Sequence, residues 1–227
     1  RRFQSAIHLS RESDDNHTLA WAQLHVFRLL LESEQSAVLA PMLRELRHIV
    51  HRLGDPHLSV YLHDAVAAWE CEIGHLREAE RHLSIARSIL HKYPNAWLEQ
   101  MIETNASSVA CVKLDLDATR AHARAARAFE HVTGHDLSGL SLKLNEAYAE
   151  IWTGKFRRAY DRLNSVLEGA SASAQLAALE SLARLHLALN RLDDCRETLN
   201  RLHSMLGSRS NETLYSVRWA SVSRAKV

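Results

Sequence analysis

Apolar residues recur along the chain at spacings of three and four, the period of an amphipathic α-helix. They keep a fixed position relative to five reference residues, which are Glu34, Gly74, Leu114, Gly154 and Asn190. These references are separated by 40, 40, 40 and 36 residues. Because a fixed period of this length is typical of stacked helical units, the pattern predicts an all-α array of helix pairs.

The rows of side chains in this frame define two buried helix faces in each repeat. Five residues after the reference the side chains are mostly small, and nine and twelve after it they are apolar. These rows are Leu39, Ala79, Thr119, Ala159 and Cys195; Leu43, Leu83, Ala123, Leu163 and Leu199; and Leu46, Ala86, Ala126, Val166 and Leu202. The rows three and seven residues before the reference are Leu31, Cys71, Cys111, Ile151 and Leu187; and Phe27, Ala67, Ser107, Ala147 and Ala183. Each repeat is therefore predicted to be helix A, a tight turn at the reference, and helix B.

Helix-ending residues fall in the same frame. Gly54, Pro94 and Gly134 each lie 20 residues after a reference; glycine ends a helix in the left-handed conformation, and proline cannot continue one. The predicted helices are 2–13, 17–33, 36–53, 57–73, 75–92, 96–113, 115–133, 137–153, 155–168, 173–189, 191–206 and 210–224. Pro41 falls early in its helix, so a late start or a kink is expected there.

One solenoid is predicted to occupy residues 1–227. Its repeat units are 17–54, 57–94, 96–134, 137–169 and 173–207, with partial repeats at 1–14 and 210–227. Stacked repeats normally end in polar caps, and neither end of the chain carries a clear one. We therefore expect a segment of a longer protein; the alternative is that the two end helices serve as caps.

Composition excludes several classes of partner. The chain has 28 basic and 27 acidic residues, a net charge of +1, which gives no electrostatic case for binding nucleic acid or membrane. No apolar run approaches the roughly 20 residues of a membrane helix, and the N-terminus does not resemble a signal peptide. A cytoplasmic location is expected, with a cleaved signal or an anchor elsewhere in a longer parent as the alternative.

The cysteines do not indicate a metal site. Cys71, Cys111 and Cys195 are too far apart in sequence for a zinc knuckle. Each occupies an apolar or small-residue row of the repeat. They are therefore predicted to be free thiols that pack as small hydrophobic side chains.

The 15 histidines are predicted to be surface residues. His48 and His51 are three apart on one helix, and His131 and His135 are four apart, but no third ligand is placed nearby. There is also no catalytic glycine-serine motif and no pair of carboxylates in a convincing context. We therefore expect no metal, no cofactor and no enzyme activity in this chain.

The repeat resembles the tetratricopeptide repeat. It shares a small residue in helix A, glycine at the turn, alanine five residues later and an apolar residue nine later. The usual period is about 34 residues. The usual aromatic residue is missing, because its positions hold Leu30, Glu70, Ala110, Glu150 and His186.

Longer repeats of this kind resemble helical arrays of large bacterial signalling proteins, such as the maltose-regulon activator type of ATPase regulator and some sigma-54-type activators. The segments Leu182–Asp194 and His51–Pro56 carry this likeness. The resemblance implies a right-handed superhelix that senses an inducer or docks a partner. In that family, nucleotide and DNA are bound by other domains, for which this chain has no motif.

A binding surface is expected on the A helices, which line the concave face of such arrays. The candidate ligand-binding residues are Asn105, Asn145, Tyr148, Trp152 and Arg184. The two asparagines could each hydrogen-bond a peptide amide with a donor and an acceptor. The aromatic rings offer apolar contact area, and the arginine could pair with a carboxylate. The alternative is that these side chains pack between neighbouring helices or face water.

The leading hypothesis is a protein- or effector-binding regulatory module of a multidomain signalling protein, of the bacterial transcription-regulator type. One alternative is a stand-alone peptide-binding scaffold resembling a co-chaperone. Another is a helical accessory segment of an enzyme whose catalytic domain is absent. The expected partner is a protein or peptide, with a small effector as the alternative. Self-association is a further alternative, because an uncapped array end exposes apolar surface.

Overall fold

The computed structural model describes residues 2–33, 36–133, 139–168 and 172–206, and within these ranges it contains eleven α-helices and no strands. The helices are α1 (Arg2–Glu12), α2 (Asn16–Ser33), α3 (Ser36–Leu53), α4 (Pro56–Glu72), α5 (Leu76–Leu90), α6 (Ala96–Val112), α7 (Leu116–Thr133), α8 (Gly139–Trp152), α9 (Phe156–Leu167), α10 (Ala172–Ala188) and α11 (Leu192–Leu206). The prediction of an all-α protein is confirmed for this part of the chain.

Every predicted helix between residues 2 and 206 is found, with its ends within two residues of the prediction. The helix predicted at 210–224 lies outside the described residues. Of the two alternatives expected at Pro41, the late start is wrong, because α3 begins at Ser36 and runs through the proline; the kink stays a prediction. Pro41 is exposed, and its ring fixes a φ that is compatible with a helix. Its missing N–H removes one backbone hydrogen bond, but the residues before it remain helical.

The chain divides into two compact units, Arg1–Asn105 and Ala106–Val227. In the first unit α2 packs on α1, α3 and α4, and α4 also packs on α3 and α5. In the second unit α8 packs on α7, α9 and α10, and α10 also packs on α9 and α11. In each unit, then, a helix packs on its neighbour in sequence, and the A helices of successive pairs pack together. These contacts are consistent with a helical repeat.

The predicted rows of apolar and small residues form the core. All residues in the rows five, nine and twelve positions after the references, and in the row seven before them, are buried. In the row three before, Cys111 and Ile151 are buried, whereas Leu31, Cys71 and Leu187 are half-buried. The small side chains at Ala79, Thr119, Ala159 and Cys195 are completely inaccessible. Small residues here let two helices approach closely.

One turn geometry recurs at four of the five references. Gly74, Leu114, Gly154 and Asn190 have left-handed φ angles of 88°, 62°, 71° and 56°. In each turn the N–H of the reference donates to the carbonyl oxygen three residues earlier, at 3.0 to 3.1 Å. The next N–H donates to the carbonyl oxygen five residues before itself, at 2.8 to 2.9 Å. This pair of bonds is the Schellman motif, which ends helix A. Glu34, the fifth reference, lies outside the described residues.

The ends of helix B are less uniform. Gly54 follows α3 with a φ of 63°, and the Asp55 carboxylate accepts from the N–H groups of His57 and Leu58 at 2.7 and 3.0 Å. Pro56 is the first residue of α4, where its missing N–H costs nothing. The predicted break at Gly54 is thus confirmed. At the next break, Asn95 caps α6 by accepting from Leu98 N at 3.1 Å. Gly134 lies outside the described residues.

We expect Leu114→Gly to be more stable than Leu114→Ala by about 1 kcal/mol, because a left-handed conformation costs an L-residue roughly that much. Leu114 is 48% exposed, and both substitutions lose the packing of its partly buried side chain. Conversely, Gly154→Ala should destabilise by about 1 kcal/mol. A Cβ at Gly154 would meet no atom within 4 Å, so the cost lies in the backbone alone. Urea unfolding measures both. Leu114→Ala is the control, since it removes the side chain but keeps the strain; a stability equal to that of Leu114→Gly would contradict the explanation.

Within the described residues, no helix is both long and apolar enough to span a membrane.

Candidate functional site

Polar side chains join successive A helices of the first unit. Asp64 of α4 is fully buried, and Arg28 of α2 forms an ion pair with it. Asn105 of α6 donates its Nδ2–H to Asp64 Oδ1 at 2.6 Å. Burial raises the pKa of the Asp64 carboxyl, and the Arg28 charge and the Asn105 hydrogen bond oppose that increase. The Asn105 amide therefore satisfies a buried carboxylate and links α6 to α4.

An equivalent polar contact occurs in the second unit. Asn145 of α8 is half-buried, and its Nδ2 donates to Ser108 Oγ of α6 at 3.0 Å. A longer bond of 3.4 Å reaches Ser107 Oγ. Asn145 thus links α8 to α6 through its donor group, as Asn105 links α6 to α4.

Tyr148 and Arg184 contact each other directly, although they are 36 residues apart in sequence. Arg184 Nη1 donates to Tyr148 Oη at 2.8 Å, and its guanidinium carbon lies 5.0 Å from the centre of the Tyr148 ring. Both side chains are largely buried, with Tyr148 only 8% exposed. The contact joins α8 to α10 by a hydrogen bond and a cation–π interaction.

Arg184 also pairs with Glu180 on its own helix. Glu180 is buried, and burial raises the pKa of its carboxyl to about 6, opposed by the charge and hydrogen bond of Arg184. A substantial part of the Arg184 charge is therefore balanced inside the protein. A carboxylate ligand would have to compete with Glu180 for this guanidinium.

Trp152 is the exposed member of the group. Its side chain is 55% exposed, and its ring centre lies 6.2 Å from that of Tyr148. Asn145, Tyr148 and Trp152 are three and four residues apart, which places them on one face of α8. The second unit therefore combines an exposed indole with a neighbouring buried tyrosine, which Arg184 contacts.

The five predicted site residues thus fall into two groups. Asn145, Tyr148, Trp152 and Arg184 lie on α8 and α10 of the second unit, whereas Asn105 belongs to the first unit and bonds Asp64. Four of the five are engaged in contacts between neighbouring helices, as the alternative interpretation described. Their role in holding a ligand stays a prediction, and Trp152 is the member with accessible surface.

A second group of side chains lines a cleft of about 420 Å³ in the first unit, between α3, α4 and α5. The lining residues are Arg47, His48, Val50, His51, Ser59, Leu62, His63, Val66 and His82. His63 Nδ1 and His82 Nδ1 are hydrogen-bonded at 2.7 Å, with ring centres 4.9 Å apart. We call this region, defined by its nine lining residues, the histidine cleft.

The charges around the histidine cleft are predominantly positive. Burial lowers the pKa of His82 to about 4, with further lowering by His63, Arg81 and Arg47 and a smaller opposing effect of Glu78. Burial also lowers the pKa of His63, assisted by Arg81 and Arg47. At neutral pH both imidazoles are therefore uncharged. No carboxylate is among the lining residues.

Spacing in the sequence indicated His48 and His51 as a pair worth weighing, but it did not indicate His63 and His82. His48 and His51 are exposed, as predicted. The prediction that the histidines are surface residues is wrong for His82, which is only 6% exposed. The pattern that could have revealed the buried pair is its position in the repeat. His63 stands four residues before a buried row of helix A, and His82 lies between two buried rows of helix B. Both are polar residues on apolar faces.

Other candidate chemistry is limited. No group of three or more His, Cys, Asp or Glu side chains is placed to hold a metal ion in the described part of the chain. The three cysteines are free, and burial raises the pKa of the Cys71 thiol to about 12, so it remains protonated. His131 and His135 fall outside the described side chains.

Comparison with known proteins does not assign the chain to a family. No protein-family model matches the sequence, and no curated protein matches it significantly.

Proposed function

We propose that the chain is a protein-binding regulatory module built as a tetratricopeptide-like, right-handed solenoid. In this proposal it belongs to a larger signalling protein of the bacterial transcription-regulator type and takes a protein or peptide ligand, with a small effector as the alternative. Support comes from the repeated Schellman turns, the recurring buried rows and the packing of successive A helices in each unit.

The observation that carries the proposal is the exposed indole of Trp152. Tryptophan is enriched among the residues that dominate binding at protein interfaces. Tyr148 lies beside Trp152 and is itself held by Arg184, so the surface around the indole is supported by buried contacts. A preorganised aromatic side chain loses less conformational entropy on binding than a mobile one.

The test is a screen of extended peptides against the 227-residue protein, with hits measured by calorimetry. Trp152→Ala should weaken a hit by about 2 kcal/mol, roughly thirtyfold. The matched control is Tyr93→Ala, which removes an aromatic side chain that is 52% exposed in the other unit. Both substitutions are at exposed positions, so thermal stability should change little.

The outcomes separate the alternatives. Peptides that bind Trp152→Ala and the wild-type protein equally well would show that the binding site does not include Trp152. A screen of small metabolites by thermal shift, run in parallel, would favour effector sensing if it alone gives a Trp152-dependent rise in stability.

A further inference from the structure

The histidine cleft combines an apolar surface with a set of nitrogen-bearing side chains, one of which, Arg47, carries a permanent positive charge. Leu62, Val66 and Val50 supply the apolar surface, and Arg47 and the four histidines supply nitrogen atoms. A ligand suited to both would carry an anionic group on an apolar body. The cleft has room for such a ligand, since sites for small molecules range upward from about 300 Å³.

The His63–His82 bond limits how the pair can be charged. Two Nδ1 atoms at 2.7 Å can share one hydrogen between them, so one ring donates and the other accepts. If both rings were protonated, two N–H groups would oppose each other. The pair therefore takes up one proton as a unit, while the bond persists.

The groups facing the pair make that proton uptake costly without a ligand. Burial, Arg81 of α5 and Arg47 of α3 lower the pKa of both histidines, whereas Glu78 of α5 raises that of His82. His48 and His51 of α3 also line the cleft. The Glu78 carboxylate is the one acid among them, and it accepts a hydrogen bond of 2.8 Å from Arg81. An anion in the cleft would supply negative charge where these groups leave an excess of positive charge.

We propose that the histidine cleft binds a small organic anion, a carboxylate or phosphate monoester on an apolar group, and takes up a proton as it does so. The anion pairs with the protonated His63–His82 unit and with Arg47, and its apolar body lies against Leu62 and Val66. This site is separate from the proposed Trp152 surface and does not depend on it.

Proton uptake predicts the direction in which the affinity for the anion changes with pH. The free histidines are neutral near pH 7 because their pKa values are lowered, and a bound anion raises those values. Affinity for the anion should therefore increase as the pH falls from the pKa of the pair in the anion-bound protein towards its pKa in the free protein. The increase should reach up to about tenfold per pH unit for one coupled proton. For the same reason, the anion should stabilise the protein most in mildly acidic solution.

The experiment is calorimetry of the full 227-residue chain with benzoate, with uncharged benzamide and with inorganic phosphate, from about pH 8 to about pH 5. Benzoate should bind more tightly at the lower pH, benzamide should bind weakly at every pH, and phosphate should fall between them. Repeating the titration in buffers of different ionisation enthalpy counts the protons, and uptake should approach one per benzoate.

Matched variants locate the site. His82→Gln should abolish proton uptake, whereas His91→Gln, at an exposed position outside the cleft, should keep it. Arg47→Gln should weaken benzoate binding several-fold, whereas Arg52→Gln, on the same helix outside the cleft, should not. Arg47 is exposed, so this variant remains informative even if His82→Gln fails to fold.

Three results would overturn the proposal. Equal affinity for benzamide and benzoate would make the cleft a purely apolar site. Benzoate binding without proton uptake, or with uptake unchanged in a folded His82→Gln, would remove the histidine pair from the site. Tight binding of Zn²⁺ that His82→Gln abolishes, in the absence of anion binding, would make the pair a metal site instead. Trp152→Ala should leave benzoate binding unchanged.

Discussion

Replacing Tyr61 with alanine should lower the free energy of unfolding by about 4 kcal/mol, because large-to-small changes of aromatic residues in a core remove buried area and leave a cavity. Tyr61 is only 2% exposed. Its ring centre lies 5.3 Å from that of Trp21, 5.6 Å from Trp97 and 5.2 Å from His25. Truncation would remove from α4 the shared partner of three rings, two from α2 and one from α6.

Urea unfolding of the variant provides the measurement, and Tyr61→Phe provides the control. Tyr61 Oη and His25 Nδ1 share a hydrogen bond of 3.0 Å. Burial raises the pKa of the phenol to about 12, so the hydroxyl stays protonated. Phenylalanine keeps the ring and loses only this bond, which should cost about 1 kcal/mol. If alanine cost no more than phenylalanine, the ring packing would not be the source of stability.

Arg162→Met should cost about 3 kcal/mol, because the substitution leaves two poorly exposed carboxylates without their shared cation. Arg162 of α9 donates to both oxygens of Glu150 at 3.0 and 3.1 Å, and its Nη1 lies 2.6 Å from Glu146 Oε2. Glu150 is 7% exposed. Arg127 remains paired with Glu146 at 2.7 Å, so the larger loss falls on Glu150.

The matched control for Arg162→Met is Arg158→Met on the same helix. The Arg158 side chain is 68% exposed and lies 3.8 Å from the same Glu150 carboxylate, so its removal should cost less than about 0.5 kcal/mol. Adding Glu150→Gln to Arg162→Met should recover part of the lost stability, since the uncompensated buried charge is then gone. Chemical denaturation of the three variants tests this, and equal effects of Arg158→Met and Arg162→Met would contradict it.

Helices and buried rows could be predicted from the sequence because both follow from local periodicity. Leu163 and Ala159, for example, lie on the apolar face of an amphipathic helix whatever its neighbours are. The turns could also be located, although residue type alone would not have sufficed. Leu114 adopts the same left-handed turn as Gly74. Its position in the repeat predicts this turn, whereas a prediction based on glycine residues alone would miss it.

The side-chain contacts of the candidate site were harder to predict. The frame places Tyr148 and Arg184 on corresponding positions of successive A helices, which predicts proximity. It does not predict that Arg184 stacks on the tyrosine ring and also pairs with Glu180, because rotamers depend on helix placement and burial together. For Asn105, the decisive partner is Asp64. Local periodicity does not predict that this charged residue is buried.

The histidine pair was missed for a related reason. His63 and His82 are 19 residues apart, on different helices, and a search for ligand spacing within one helix does not find them. Each could have been noticed alone as a polar residue on an apolar face. Their direct bond depends on the crossing of α4 and α5, which the sequence pattern leaves undetermined.

The packing of helices on their neighbours in sequence has a consequence for how the chain folds. In each unit, the contacts described join a helix to the next one or the next but one. Forming them closes short segments of chain, so the entropic barrier is low and folding should be fast for a protein of this length. In the proposed repeat array, any helix pair could start the process, and its neighbours would then add one by one. We therefore expect folding kinetics to respond most to substitutions within whichever pair is locally most stable.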